Sequence, residues 1–236
     1  MRSFIVIAMF AATLSNAAWN GYTEVRDLEL SMDRINTLEI DAGAGSLEIK
    51  GDPDATVIRV VATIRLPDAD AEEAIEIIES DLKLTLVKQR DRAMLIAYFD
   101  HGMWGFHGDR RIDLEISMPH GLALVIDDGS GSIHVEAVSS HIIIDDGSGS
   151  ITVKNIGSLV IDDGSGSITV AGVTGDVAIE DGSGDITVRA VGGSVTIDDG
   201  SGGIDIDDVE HDLIIVDDGS GSVRVSDVRG IVRRDD

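Results

Sequence analysis

From Leu122 onward, apolar positions recur in phase with a short acidic, glycine-rich segment, and together they form a unit repeated six times. The units are Ile126-Asp-Asp-Gly-Ser-Gly-Ser-Ile133, Ile144 to Ile151, Ile161 to Ile168, Ile179-Glu-Asp-Gly-Ser-Gly-Asp-Ile186, Ile197 to Ile204 and Val216 to Val223. Their first glycines, Gly129, Gly147, Gly164, Gly182, Gly200 and Gly219, are 18, 17, 18, 18 and 19 residues apart. Self-similarity at a fixed period marks a stacked repeat architecture. One-residue slips that leave the pattern intact place the slack in a loop.

Aligned on these glycines, the apolar residues fall into columns. Leu124, Ile142, Leu159, Val177, Val195 and Ile214 form the first, and Ile126, Ile144, Ile161, Ile179, Ile197 and Val216 the second. After the turn come Ile133, Ile151, Ile168, Ile186, Ile204 and Val223, then Val135, Val153, Val170, Val188, Ile206 and Val225. A fifth column holds Val138, Ile156, Val173, Val191, Val209 and Val228. Within each arm the columns lie two residues apart, so each arm is a strand with one face inward. Its β-branched residues suit a pleated, half-buried surface. The pattern predicts an all-β, two-sided parallel β-solenoid (β-helix) of about six 18-residue coils over residues 122–236, rising roughly 4.8 Å per coil. A propeller blade needs about 40 residues.

The turn has its own chemistry. The second acid (Asp128, Asp146, Asp163, Asp181, Asp199, Asp218) is in phase with the inward columns, where an unpaired charge is costly. It is expected at the corner, accepting the backbone N–H two residues on in an Asx-turn. The glycines of each Gly-Ser-Gly are expected to supply positive φ. The first acid (Asp127, Asp145, Asp162, Glu180, Asp198, Asp217) points outward and stacks on its neighbours.

Residues 18–121 read as N-terminal strands, a degenerate first coil and a capping helix, a mixed α/β cap. Leu38 to Lys50 keeps the arm-turn-arm pattern with alanines in place of the second acid and first serine, as a coil at the start of the stack. Ala55 to Leu66 reads as a strand, and Pro67 to Asp81 as a helix with an acidic first turn. Leu82–Lys88, Ala93–Phe99 and the alternation Ile112, Leu114, Ile116, Met118 read as further strands. Residues 1–17 read as a signal peptide: Arg2, an apolar run from Phe4 to Leu14, then Ser15-Asn16-Ala17 before the cleavage point. That run is too short for a membrane span, so a periplasmic, secreted or cell-surface protein is expected.

Charge narrows the partners. The 236 residues carry 44 Asp plus Glu against 18 Lys plus Arg, a net charge of −26, which repels nucleic acid and anionic membrane surfaces. Cysteine is absent, which removes disulfides, thiolate metal sites and cysteine nucleophiles. The outward acid ladder raises the alternative of a calcium-stabilised structural repeat protein. Calcium β-rolls carry Gly-Gly-x-Gly-x-Asp-x-apolar-x twice per turn, whereas Gly129-Ser-Gly131-Ser-Ile133 has Ile where the ligand Asp belongs. No cofactor is expected, and whether a metal site exists is left open. His101-Gly-Met-Trp-Gly-Phe-His107 reads as a loop anchoring the cap, with carbohydrate stacking and metal binding as alternatives. A polysaccharide-degrading β-helix enzyme needs two carboxylates in different environments, which copies of one turn do not supply. No catalytic or cofactor-binding residue is therefore assigned. The Thr152, Thr169, Thr187 column is broken by His134, Asp205 and Arg224, which disfavours an ice-binding face.

The run Ile116-Ser-Met-Pro119-His-Gly-Leu-Ala-Leu-Val-Ile126, followed by reiterated Asp-Gly-Ser-Gly-Ser-Ile-x-Val, resembles the bacterial putative-adhesin β-solenoid family of unknown function. The resemblance spans about residues 38–234. It implies a non-enzymatic module of the cell envelope with an envelope protein or glycan as partner, and it transfers no site residues. The chain departs from the family pattern in having Asp-Asp before Gly-Ser-Gly and mostly Ser after it.

Overall fold

The computed structural model describes residues 10–11, 21–67, 69–100 and 110–235. The expected signal peptide, apart from Phe10 and Ala11, and the His101–His107 segment lie outside the described residues.

Among the described residues, twenty strands and one helix follow one another. They are β1 (Phe10–Ala11), β2 (Gly21–Ser31), β3 (Thr37–Ala44), β4 (Leu47–Asp52), β5 (Val57–Pro67), α1 (Ala71–Ser80), β6 (Leu82–Gln89), β7 (Arg92–Phe99) and β8 (Arg111–Pro119). The repeat region supplies β9 (Ala123–Glu136), β10 (His141–Asp146), β11 (Gly149–Ile156), β12 (Ser158–Asp163), β13 (Ile168–Val173), β14 (Val177–Asp181) and β15 (Ile186–Val191). It ends with β16 (Val195–Asp199), β17 (Ile204–Val209), β18 (Leu213–Asp217), β19 (Val223–Val228) and β20 (Val232–Arg234).

The repeats form a parallel β-solenoid of about six turns and about 18 residues per turn. One wall stacks the first arms in the order β9, β10, β12, β14, β16, β18, β20, all parallel. The other stacks the second arms: β9, β11, β13, β15, β17, β19. Register is one residue over its equivalent, as in Ile142 on Leu124 and Ile151 on Ile133. The inward columns are buried through the first five coils, and a single hydrophobic core runs from Leu30 in the cap to Ile215; in the final second arm Val223 and Val228 are half-buried and Val225 is 36% exposed, because no further coil covers them. Chain period and rung spacing agree because each arm closes its ladder only on the equivalent arm one coil away.

Two expectations are corrected at the last coil. Leu213 and Ile215, not Ile214 and Val216, occupy the inward columns, pairing with Val195 and Ile197, while Val216 is 43% exposed. The extra residue behind the 19-residue spacing is a bulge within β18, between Ile197 and Asp198 on the partner strand, and not a loop insertion. The missing residue behind the 17-residue spacing does lie in a loop, at Gly157 between β11 and β12.

The cap continues both walls. The predicted degenerate coil is β3–turn–β4, with Leu38 on Leu124, Ala42 on Asp128 and Ile49 on Val135. It is not the start of the stack. Beyond it lie β7, parallel to β3, and β8, parallel to β4. Antiparallel strands finish the end: β6 on β7, then β5 on β8 and β2 on β5. The helix is shorter than expected because Asp70 starts it. Its Oδ1 accepts the N–H groups of Glu72 and Glu73 at 3.0 Å, and Ala74 and Ile77 are buried.

A second bend escaped the sequence pattern. Two residues beyond the fourth column, Ala137, Asn155, Gly172, Ala190, Asp208 and Asp227 all adopt φ between 52° and 71°. This left-handed step turns the second arm so that the fifth column also points inward.

Candidate functional site

The acidic corner is built as a file of buried carboxyl groups. Asp128, Asp146, Asp163, Asp181, Asp199 and Asp218 are each at most 9% exposed, whereas the first acids beside them are exposed. The expected Asx-turn forms in four coils: Ser148, Ser165, Ser183 and Ser201 donate their N–H groups to Asp146, Asp163, Asp181 and Asp199 at 3.0–3.2 Å. It does not form in the other two. Asp128 has neither carboxyl oxygen hydrogen-bonded, and Asp218 pairs instead with Arg234, while its neighbour Asp217 accepts the Gly219 N–H at 2.8 Å.

The Oδ2 atoms of Asp146, Asp163, Asp181 and Asp199 are sealed from solvent without a partner. Burial raises these carboxyl groups: Asp128 to about 7, with the Asp146 charge adding to it, and Asp146 and Asp181 to about 6, where the Asx-turn bond opposes the rise. Asp163 and Asp199 move in the same direction for the same first reason. A protonated carboxyl suits such a site far better than an ion.

In the first five turns the second glycine takes the positive φ, 140° at Gly131 and 152° at Gly184, whereas in the sixth the first glycine does, Gly219 at 46°. The first glycines Gly129 to Gly200 do not, which corrects the expectation for both. They are required by close stacking instead: a Cβ on Gly147 would lie 2.6 Å from the Gly129 carbonyl oxygen.

Outside the corner, the first acids form the expected outward ladder, with Asp127, Asp145, Asp162, Glu180, Asp198 and Asp217 paired in register. Among the described residues no three His, Asp or Glu side chains are grouped to hold a metal ion. The Thr column lies on the opposite wall, interrupted by His134, Asp205 and Arg224 as the sequence indicated. His141 Nδ1 is 2.8 Å from Ser158 Oγ.

One grouping was missed. Where β5 and β8 run past the turns of the β3–β4 and β9 coils, Arg65, Arg110 and Arg111 line an open cleft of about 520 Å³ with Asp113, Ser130 and Ser132. Antiparallel pairing sets Arg65 directly opposite Arg111. Asp113 accepts from Arg65 Nε at 2.6 Å, stands 3.8 Å from Arg111 Nε, and is held by the Ser46 N–H and hydroxyl at 3.1 Å. The Arg65 contact and the Ser46 bonds overcome burial and lower the Asp113 carboxyl below its ordinary value. Arg110 donates to Asp81 at 3.0 Å. The only sequence signal was the Arg110-Arg111 doublet; the partner 46 residues earlier requires the strand pairing.

A model of the Toastrack DUF4097 family matches residues 35–230. The chain belongs to this family. The Toastrack match takes in the cap coil β3–β4, the β7 and β8 strands and nearly all the repeats. Among solved structures, a putative adhesin from Bacteroides fragilis is similar at 11% identity and TM-score 0.42, covering 90% of this chain and 97% of its own. A putative cell adhesion protein from Clostridium sporogenes is similar at 11% identity and TM-score 0.38, covering 92% and 100%. No curated protein matches the chain. Among the described residues no helix is long and apolar enough to cross a membrane.

Proposed function

We propose that the chain is a non-enzymatic, exported, acidic β-solenoid that serves as an adhesin-like binding or scaffold module of the bacterial envelope. The observation that carries this reading is the register of the two walls. Each outward position is presented once per coil in a straight file, with Asp127, Asp145 and Asp162 as the example. Such a surface suits repetitive contacts with an extended partner better than the conversion of a small substrate. The corner aspartates offer no acid–base pair, because their unpartnered oxygens face inward, away from solvent. The names of the structural neighbours are compatible with adhesion at the cell surface.

The test is capture of envelope proteins on the immobilised chain, together with a glycan-binding screen. Specific retention in either supports a binding module; clean negatives in both remove it. Hydrolysis of a polysaccharide that is lost on replacing a single aspartate would overturn the non-enzymatic part.

A further inference from the structure

We propose that the last coil of the solenoid is a self-association face, on which a second copy of this chain stacks end to end about a two-fold axis. Inside the stack the inward columns are closed: Val188, Val195, Ile206 and Leu213 are each 0% exposed. Their equivalents on the final rung are open. Val225, which lies over Ile206, is 36% exposed, and Val232, over Leu213, is 51% exposed. Ile231 beside it is 72% exposed. Among the described residues β19 pairs only with β17 and β20 only with β18, so each leaves an unpaired outer edge. Unpaired N–H and C=O groups on a strand edge are a template for another strand.

A net charge of −26 keeps two copies of this chain apart over most of their surface, and that repulsion is relieved at this end. Residues 200–218 hold seven acids and no lysine or arginine, whereas residues 219–236 hold four arginines against three aspartates. Three of those arginines reach back onto acids of the preceding coil: Arg224 to Asp205 at 3.8 Å, Arg229 to Glu210 and Arg234 to Asp218. Arg233 stands 3.7 Å from Asp235. The end face therefore lacks the acid surplus of the coil beneath it.

The occupant has to bring two strand edges on walls about 10 Å apart, aliphatic side chains between them, and no acid surplus. The same end of a second copy has all three. A two-fold axis perpendicular to the walls lays β19 antiparallel on the β19 of the copy and β20 on its β20, and keeps inward side chains inward, so the two cores join and the free edges close. The cap end offers no such match, because the antiparallel strands β6 and β2 finish it. A self-complementary contact closes at two copies, and a face one rung wide gives a concentration-dependent pair and not a permanent one. The pair is a rod with a cap at each end, which doubles the length of every outward file.

Sedimentation equilibrium of the full chain over a wide range of loading concentrations reads the mass. A monomer–dimer equilibrium is expected, with nothing larger. Val232→Lys places an ammonium where the cores join and weakens association at least tenfold, whereas Val160→Lys, at an aliphatic position on the outer wall that is 39% exposed, leaves it unchanged. Circular dichroism checks that each variant is folded. The chain has no cysteine, so a single introduced one reports proximity without disturbing the core. Ser226→Cys, in the middle of β19, cross-links to its copy under mild oxidation at least tenfold faster than Ser167→Cys, which is also exposed but lies mid-stack. A monomer at every concentration, species that grow beyond the dimer, undiminished association of folded Val232→Lys, or equal cross-linking of the two cysteines overturns the assignment. Envelope capture by a strictly monomeric chain removes the dimer and leaves the binding module standing.

Discussion

Replacing Asp181 by Asn tests whether burial in the corner file favours the protonated carboxyl over the ion. Asp181 is 5% exposed, its Oδ1 accepts the Ser183 N–H at 3.0 Å, and its Oδ2 has no partner. Burial first, and then the Asp163 and Asp199 charges, raise it to about 6, against roughly 3.9 in an unfolded chain. A folded value above the unfolded one means that the group's contribution is fully present below pH ~3.9 and is lost as pH rises through about 6. Two units at 1.36 kcal/mol each put the loss at about 3 kcal/mol. Asparagine keeps the acceptor of the Asx-turn and cannot ionise. Its extra amide hydrogens lack a partner, at a cost of about 1–3 kcal/mol that is the same at every pH. The difference between variant and wild type should therefore shift by about 3 kcal/mol in the variant's favour between pH 3.5 and pH 8. Urea unfolding at both pH values reads it. The reasoning fails if the two proteins show parallel pH profiles, or if the wild type loses stability as the pH falls from 7 to 5.

Other perturbations address the backbone and the ladder. Gly184→Ala would set a Cβ 1.5 Å from the Gly166 carbonyl oxygen in the adjacent coil at φ +152°; it should cost at least about 3 kcal/mol and open the coils to limited proteolysis, whereas Gly121→Ala, with open space around it, should be within about 0.5 kcal/mol of wild type. Ala190→Gly relieves a left-handed residue at φ +56°, and after the entropy cost of glycine it should gain about 0.5 kcal/mol, seen as a higher urea midpoint. Chelation is expected to leave the melting midpoint unchanged, since no described acids are grouped around a metal position; a fall of several degrees would assign calcium to the outward ladder.

The repeating columns were legible because period-2 burial and an 18-residue return constrain each other, and Ile126, Ile144 and Ile161 have no second way to face inward. The last coil was not. Leu213, Ile214, Ile215 and Val216 are all apolar, so either alternate pair could fill the core, and only the distance from Val209 through the bend selects Leu213 and Ile215. The left-handed column was hidden because Gly172 and Asn155 announce such a φ while Ala137 and Ala190 do not. Burial of the corner acids was legible in their phase, but the missing partners of Asp128 and the Arg234 pairing of Asp218 depend on which rung lies next door. The arginine cleft stayed out of view because antiparallel pairing of β5 with β8 brings it together, and no spacing encodes that.

The path of the chain through the cap fixes where this architecture can grow. The chain builds the β3–β4 rung, lays β7 and β8 on its far side, and then crosses back to place β9 on its near side. That rung is enclosed by segments made after it, so a duplication there would have no free neighbour to stack on. On the other flank each 18-residue block begins and ends at the same point of the contour, and an added or deleted block rejoins the chain without a seam. Length can thus be tuned by copy number toward the carboxyl terminus, while the amino-terminal end stays a fixed foundation.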